Sequence, residues 1–124
     1  MVYLAVALGG AVGALLRWTL GEGVPDGAGF PWTTFAINVS GSLVLALLPA
    51  LPAVRRRPLL VAGLGPGLLG GFTTLSAYSE QTRALLDDGH ALTAATYVVG
   101  TLAACLAVVA AASRLTPPVE QERG

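Results

Sequence analysis

Four stretches of this chain carry no charged side chain: residues 1–16, 27–54, 58–79 and 91–113. Each is about long enough to cross the ~30 Å hydrocarbon core of a bilayer as a helix. In water such stretches cannot all be hidden. The chain has 124 residues, 54% of them hydrophobic and 11% charged, where an average soluble domain is roughly 25% charged. A body this small leaves a large share of its surface outside. The sequence therefore predicts an all-α membrane protein with four transmembrane helices in a single domain over residues 1–115. A short polar tail, 116–124, follows. The spans leave no room for a soluble catalytic module, and a multi-pass protein embedded in membrane lipid is expected.

The first span runs from about Val2 to Leu20. A removable signal peptide would need a basic start, and Met1-Val2-Tyr3-Leu4 has none. Gly9, Gly10 and Gly13 suit close helix approach in lipid. Arg17 stands at the end of the span, placed either to snorkel to headgroups or to line an aqueous vestibule. A loop over 21–31 carries Glu22 and Asp26, and Trp32 opens the second span. There Thr34, Asn38 and Ser42 recur every four residues on one helix face. An amide in lipid must find a partner, so Asn38 faces a neighbouring helix or water.

Pro49, Pro52 and the run Arg55-Arg56-Arg57 close the second span. By the positive-inside rule this loop is cytoplasmic, together with both termini, Arg114 and Arg123. Arg17 and Arg83 then lie toward the other face, and a single fixed orientation follows. The third span is crowded with Gly63, Gly65, Pro66, Gly67, Gly70 and Gly71. These residues argue against a continuous helix and for a break near 70–74, about halfway along. Irregular backbone at that depth persists only where protein buries it or it lines a cavity. Such a break exposes carbonyls suited to a cation, and Thr73, Thr74, Ser76 and Ser79 add hydroxyl donors. In the fourth span, 92–113, Thr93, Tyr97, Thr101 and Cys105 form a second polar stripe. His90 is expected in a solvated loop, and the tail from Thr116 is expected to be disordered.

Three motifs occur in order: G-G-A-V-G-A-L-L-R-W from Gly9, T-T-F-A-I-N-V-S-G-S from Thr33 and G-L-L-G-G-F-T-T-L-S-A-Y from Gly67. Together they resemble the Fluc (CrcB) family of small bacterial fluoride channels, over all four spans. The resemblance implies passive export of fluoride across the inner (plasma) membrane, lowering its toxicity in the cytoplasm. It also implies an antiparallel dimer with the third helix broken in each subunit, two fluoride pathways, and a structural sodium ion at the dimer centre. By motif position, the main-chain carbonyls of Gly70 and Thr73 would hold the sodium. The pathway would include Asn38, Ser76, Tyr97 and Thr101, with Leu75 and Tyr78 where the family has two pore phenylalanines; Arg17 matches the Arg closing the first motif. Leu75 lacks the electropositive ring edge that can face an anion, whereas Tyr78 keeps one. Ala77 replaces a hydroxyl, Cys105 stands where Ser is usual, and Glu80-Gln81 replaces a Glu found slightly further on. These departures, with the Arg asymmetry, raise the alternative of a non-conducting or partly conducting subunit paired with an oppositely oriented paralogue.

A pore for strongly hydrated fluoride must replace its water with donors such as those of Asn38, Ser76, Tyr97 and Thr101. The driving force is the membrane potential, about 2.3 kcal/mol per charge per 100 mV, and no G-x-x-x-x-G-K-[ST] motif for ATP is present. A rival of similar size, the small four-helix cation or drug exporters, relies on an acid inside the first helix; here the first acid is Glu22. No catalytic triad, carboxylate pair or metal-spaced His/Cys set lies in the spans, so no enzyme is expected. Zero net charge without any Lys excludes a basic nucleic-acid surface. The single Cys105 excludes a disulfide framework.

Overall fold

A computed structural model describes residues 1–27 and 29–115; the tail 116–124, expected to be disordered, lies outside the described residues. Among these the chain is helical throughout, with no strand. Four helices are long and apolar enough to cross a membrane: Val2–Gly23, Trp32–Ala50, Pro58–Asp87 and Ala91–Ser113. The first is α1 (Val2–Gly23) and the second is α2 (Trp32–Leu47) with a 3-10 turn, Leu48–Ala50. A short helix, α3 (Pro52–Arg55), crosses the Arg-rich connection.

The third span is composite. It opens as α4 (Pro58–Ala62), widens to a π-helical stretch at Gly63–Leu69 and narrows again in α5 (Gly70–Phe72). Pro66 lies within the π stretch. Its ring excludes the carbonyl four residues back and supplies no N–H, and the wider turn absorbs both defects. Thr73 (φ −76°, ψ 155°) and Thr74 (φ −144°, ψ 120°) are extended. Helix resumes as α6 (Leu75–Asp87). The turn to α7 (Ala91–Ser113) uses Gly89 at φ 79°, where a Cβ would be strained. His90, exposed, precedes α7.

The helices form two layers. α1 packs along the α4–α5 segment, and α2 packs against α7, which also carries α6. The first layer depends on missing side chains. A Cβ on Gly9 would strike the Gly63 carbonyl, one on Gly13 the Leu68 carbonyl, and one on Gly71 the backbone of Gly10. Backbones this close are the small-residue packing of membrane helices. Outward faces are apolar: Leu8, Leu15, Leu92, Val99, Leu102 and Leu106 are all exposed. Trp18 and Trp32 are exposed as well, as belts at a membrane interface require. Thr34, Asn38 and Thr101 point inward and are buried. That arrangement suits lipid and contradicts water.

Gly13→Ala should lower thermal stability in detergent by the ~1–3 kcal/mol of an overpacked contact. Gly21→Ala, where a Cβ meets nothing within 4 Å, should hold or gain through helix propensity. Melting curves of the two variants check this.

Candidate functional site

The site is built around the two extended threonines. The Thr74 N–H donates to Asn38 Oδ1 at 2.9 Å, and Asn38 Nδ2 donates back to the Thr74 carbonyl at 3.3 Å. One amide side chain on α2 thus replaces the helical bond that the Thr74 N–H has given up and adds a donor to the carbonyl that opens α6. Thr74 Oγ1 accepts from the Ala77 N–H at 3.1 Å, an N-cap for α6. On the other side, Thr73 closes α5 through its N–H and Oγ1, both donating to the Leu69 carbonyl at 2.9 Å. Arg17 Nε donates to the Gly71 carbonyl at 3.3 Å. Arg17 thus serves the carbonyl end of α5, where a cation is favourable, while its side chain also lines the second cavity described below.

The extended pair leaves the carbonyls of residues 70–73 without helical donors, and among the described residues only that of Gly71 is taken up by a side chain, Arg17. In a continuous helix the Gly70 carbonyl would receive the Thr74 N–H and the Thr73 carbonyl the Ala77 N–H. The first of these donors goes to Asn38 and the second to Thr74 Oγ1. Gly70 is exposed on the subunit surface.

Beside the extended pair lies a recess of about 280 Å³, into which Asn38, Thr73, Thr74, Leu75, Tyr78 and Thr101 open. Four of the expected pathway residues, Asn38, Leu75, Tyr78 and Thr101, come together here. Ser42 and Cys105 of the two polar stripes also reach it. Thr101 is buried and its Oγ1 has no hydrogen-bond partner among the described residues, although hydroxyls in apolar helices commonly bond one turn back. Ser76 is exposed and does not reach the recess; its Oγ lies 3.4 Å from Thr74 Oγ1. Tyr97, 0% exposed, does not reach it either. Its ring packs on Phe30 and Tyr78, centroids 5.4 and 5.1 Å away. The Tyr78 hydroxyl donates to the Val98 carbonyl at 2.9 Å.

A second cavity, of about 330 Å³, is lined by Arg17, Glu22, Asp26, Thr34 and Gln81, and it shares Thr74 with the first. Asp26 organises its wall. Oδ1 accepts from the Thr33 N–H at 2.8 Å, and Oδ2 from Thr34 Oγ1 at 2.7 Å and Gln81 Nε2 at 3.0 Å. Gln81 Nε2 also donates to Thr34 Oγ1, and its Oε1 accepts from the Tyr97 hydroxyl at 2.8 Å. Asp26 thus caps α2 and ties it to α6 and α7. Sequence reasoning missed this role of Asp26 and Gln81, because capping is sought at the residue before a helix and that residue is Pro31. Glu80 turns outward to pair with Arg83, which also pairs with Asp87.

The family model for CrcB-like protein, Camphor Resistance (CrcB), matches residues 4–113. The chain belongs to the CrcB family. A relative from Nocardia farcinica, named fluoride-specific ion channel FluC 2, is 43% identical over 111 residues, covering 87% of this chain and 79% of its own. Fluoride-specific ion channel FluC of Paramagnetospirillum magneticum is 40% identical, covering 88% and 90%. A FluC of Thermus thermophilus is 46% identical over 108 residues, covering 81% of each chain. These relatives are named as ion channels, and the CrcB chain described here is a membrane protein of the same family.

Asp26→Ala should cost about 0.5–2 kcal/mol through loss of the α2 cap. Asp26→Asn, which keeps an acceptor oxygen, should recover part of that. Thermal unfolding in detergent compares the two.

Proposed function

We propose that this chain is a fluoride-selective channel subunit of the inner membrane that lets fluoride leave the cytoplasm passively. The observation that carries the reading is that Thr101, whose buried hydroxyl has no partner among the described residues, lines a recess together with Asn38 and Thr74 of the clasp. A hydroxyl left unbonded inside a protein costs free energy, and a small anion is the partner that repays it. Relatives named fluoride-specific ion channels, matched over more than four-fifths of the chain, give the anion its identity.

Fluoride gives up its water for hydrogen-bond donors, and the recess offers the Thr101 hydroxyl and the Asn38 N–H left over from the clasp. Larger, weakly hydrated halides gain less from those donors in the same space. Thr74 lines both cavities, so the extended pair is the partition an ion passes. We read that pair as the break of the third helix and place it near the midplane of an antiparallel dimer. Ser76 and Tyr97 then act as support: Ser76 at the Thr74 cap, and Tyr97 behind Tyr78. Arg17 holds the α5 carbonyl end and biases the second cavity toward anions.

In this reading the carbonyls of Gly70 and Thr73, freed of their helical donors, would hold a structural sodium. They are hard, uncharged oxygens, suited to an alkali ion rather than to a divalent ion that would call for carboxylates. Gly70 is open at the surface to receive a second subunit's oxygens. When bound, the ion supplies a fixed positive charge that favours anions nearby.

The Leu75 side chain, 77% exposed, supports a second reading, in which one pathway is degraded and a paralogous subunit completes the pore. Fluoride efflux from liposomes, with chloride as control, separates the two. Efflux with this chain alone is expected of a self-sufficient channel, and Leu75→Phe should then raise the rate. Efflux only with an oppositely oriented paralogue would assign it the partner role. In either assembly Asn38→Ala should abolish flux, since it removes both the donor and the clasp. Normal fluoride flux in that variant would refute the pathway.

A further inference from the structure

Between Asp26 and Glu80 the chain has three charges, all positive, at Arg55, Arg56 and Arg57, and no acid. They lie on the tight connection between α2 and α4, and all three are exposed. Ion pairs among the described residues are made by Arg83 alone. The Arg55 guanidinium reaches only the Pro49 carbonyl, at 3.4 Å. Beneath it runs a groove of about 350 Å³ lined by Leu45, Leu48, Val54, Val61 and Pro66, with Arg55 as its one charged wall. The groove falls at the small end of ligand pockets, which run from roughly 300 to 1,000 Å³.

An apolar slot with an unneutralised guanidinium at its mouth combines two chemistries that meet in one abundant membrane component. We propose that this groove binds an anionic phospholipid, its acyl chain against Leu45, Leu48 and Val61 and its phosphate on Arg55. Arg presents a planar fork that matches phosphate oxygens two at a time. Arg56 and Arg57 add attraction to an anionic leaflet without touching the slot, as juxtamembrane basic residues do. The groove shares Leu45 with the recess at Thr74 but none of its polar lining, so a lipid here anchors the α2–α4 connection rather than the ion. It fixes the end of the third span from which the π-helical stretch begins.

The test uses the full chain purified in detergent, titrated with phosphatidylglycerol or phosphatidylcholine and followed by native mass spectrometry and by melting temperature. Phosphatidylglycerol should be retained and should raise the melting temperature; phosphatidylcholine should do neither. Arg55→Gln should weaken phosphatidylglycerol about fivefold, the usual share of one basic residue at a membrane surface. Val61→Trp, at a half-exposed position, should fill the slot and abolish retention with every arginine in place. Arg114→Gln, away from the groove, should leave binding as in the parent. Equal retention of both lipids would overturn the proposal. So would unchanged phosphatidylglycerol binding in Val61→Trp, which would mean diffuse attraction only. Equal stabilisation by inorganic phosphate would overturn it, as would an Arg55→Gln effect confined to dimer content, which would assign the groove to a second subunit.

Discussion

A backbone amide with no partner cannot persist in hydrocarbon, and the structure turns on how one such amide is met. Thr74 leaves the helical ladder, and Asn38 accepts its N–H and donates to its carbonyl. In water, solvent would take that role and any polar residue would do. In a membrane the partner must come from another helix and must both give and receive, which an amide side chain does and a hydroxyl or carboxylate does less well. The clasp is what allows two extended residues to stand between α5 and α6.

Once Thr74 and Ala77 direct their N–H groups sideways, the bonding that remains is uneven in a useful way. The Gly71 carbonyl is served by Arg17, while those of Gly70, Phe72 and Thr73 lose their helical donors. Among side chains, Thr34, Gln81 and Tyr97 are all engaged in the network that ends on Asp26. Among the described residues, the Thr101 hydroxyl is the buried one left without a partner. The chain thus keeps most of its polarity for holding itself together and leaves a small remainder unpaired, beside the recess and at the exposed Gly70.

How much of this the sequence showed varies by residue. The charge-free windows gave the four spans, because cost in lipid is set by charge before anything else. Gly and Pro density marked residues 70–74 as irregular, where Thr73 and Thr74 are extended. The four-residue stripes correctly turned Thr34, Asn38 and Thr101 inward. What periodicity could not show was who bonds to whom. It could not separate Asn38 as a helix tie from Asn38 as a lining residue, and the geometry gives it both positions. Asp26 looked like an ordinary loop acid, since its reach to Thr33 and Gln81 spans seven and 55 residues of sequence. Ser76 and Tyr97 carry the right groups yet lie off the recess, because rotation about a helix axis by one residue changes the face. The π-helical widening also shifts register in a way that a fixed 3.6-residue count misses.

The central claim is that the open hydroxyl of Thr101 is kept for an anion rather than for the fold. Thr101→Val replaces it with a methyl of the same shape, so protein stability has nothing to lose. The decisive measurement is fluoride efflux from liposomes containing this variant, beside its melting temperature in the same lipid. The account predicts equal or higher melting temperature with fluoride efflux reduced about tenfold or more, as loss of one hydrogen bond to a charged group implies. Parental efflux from a stably folded Thr101→Val protein would contradict it.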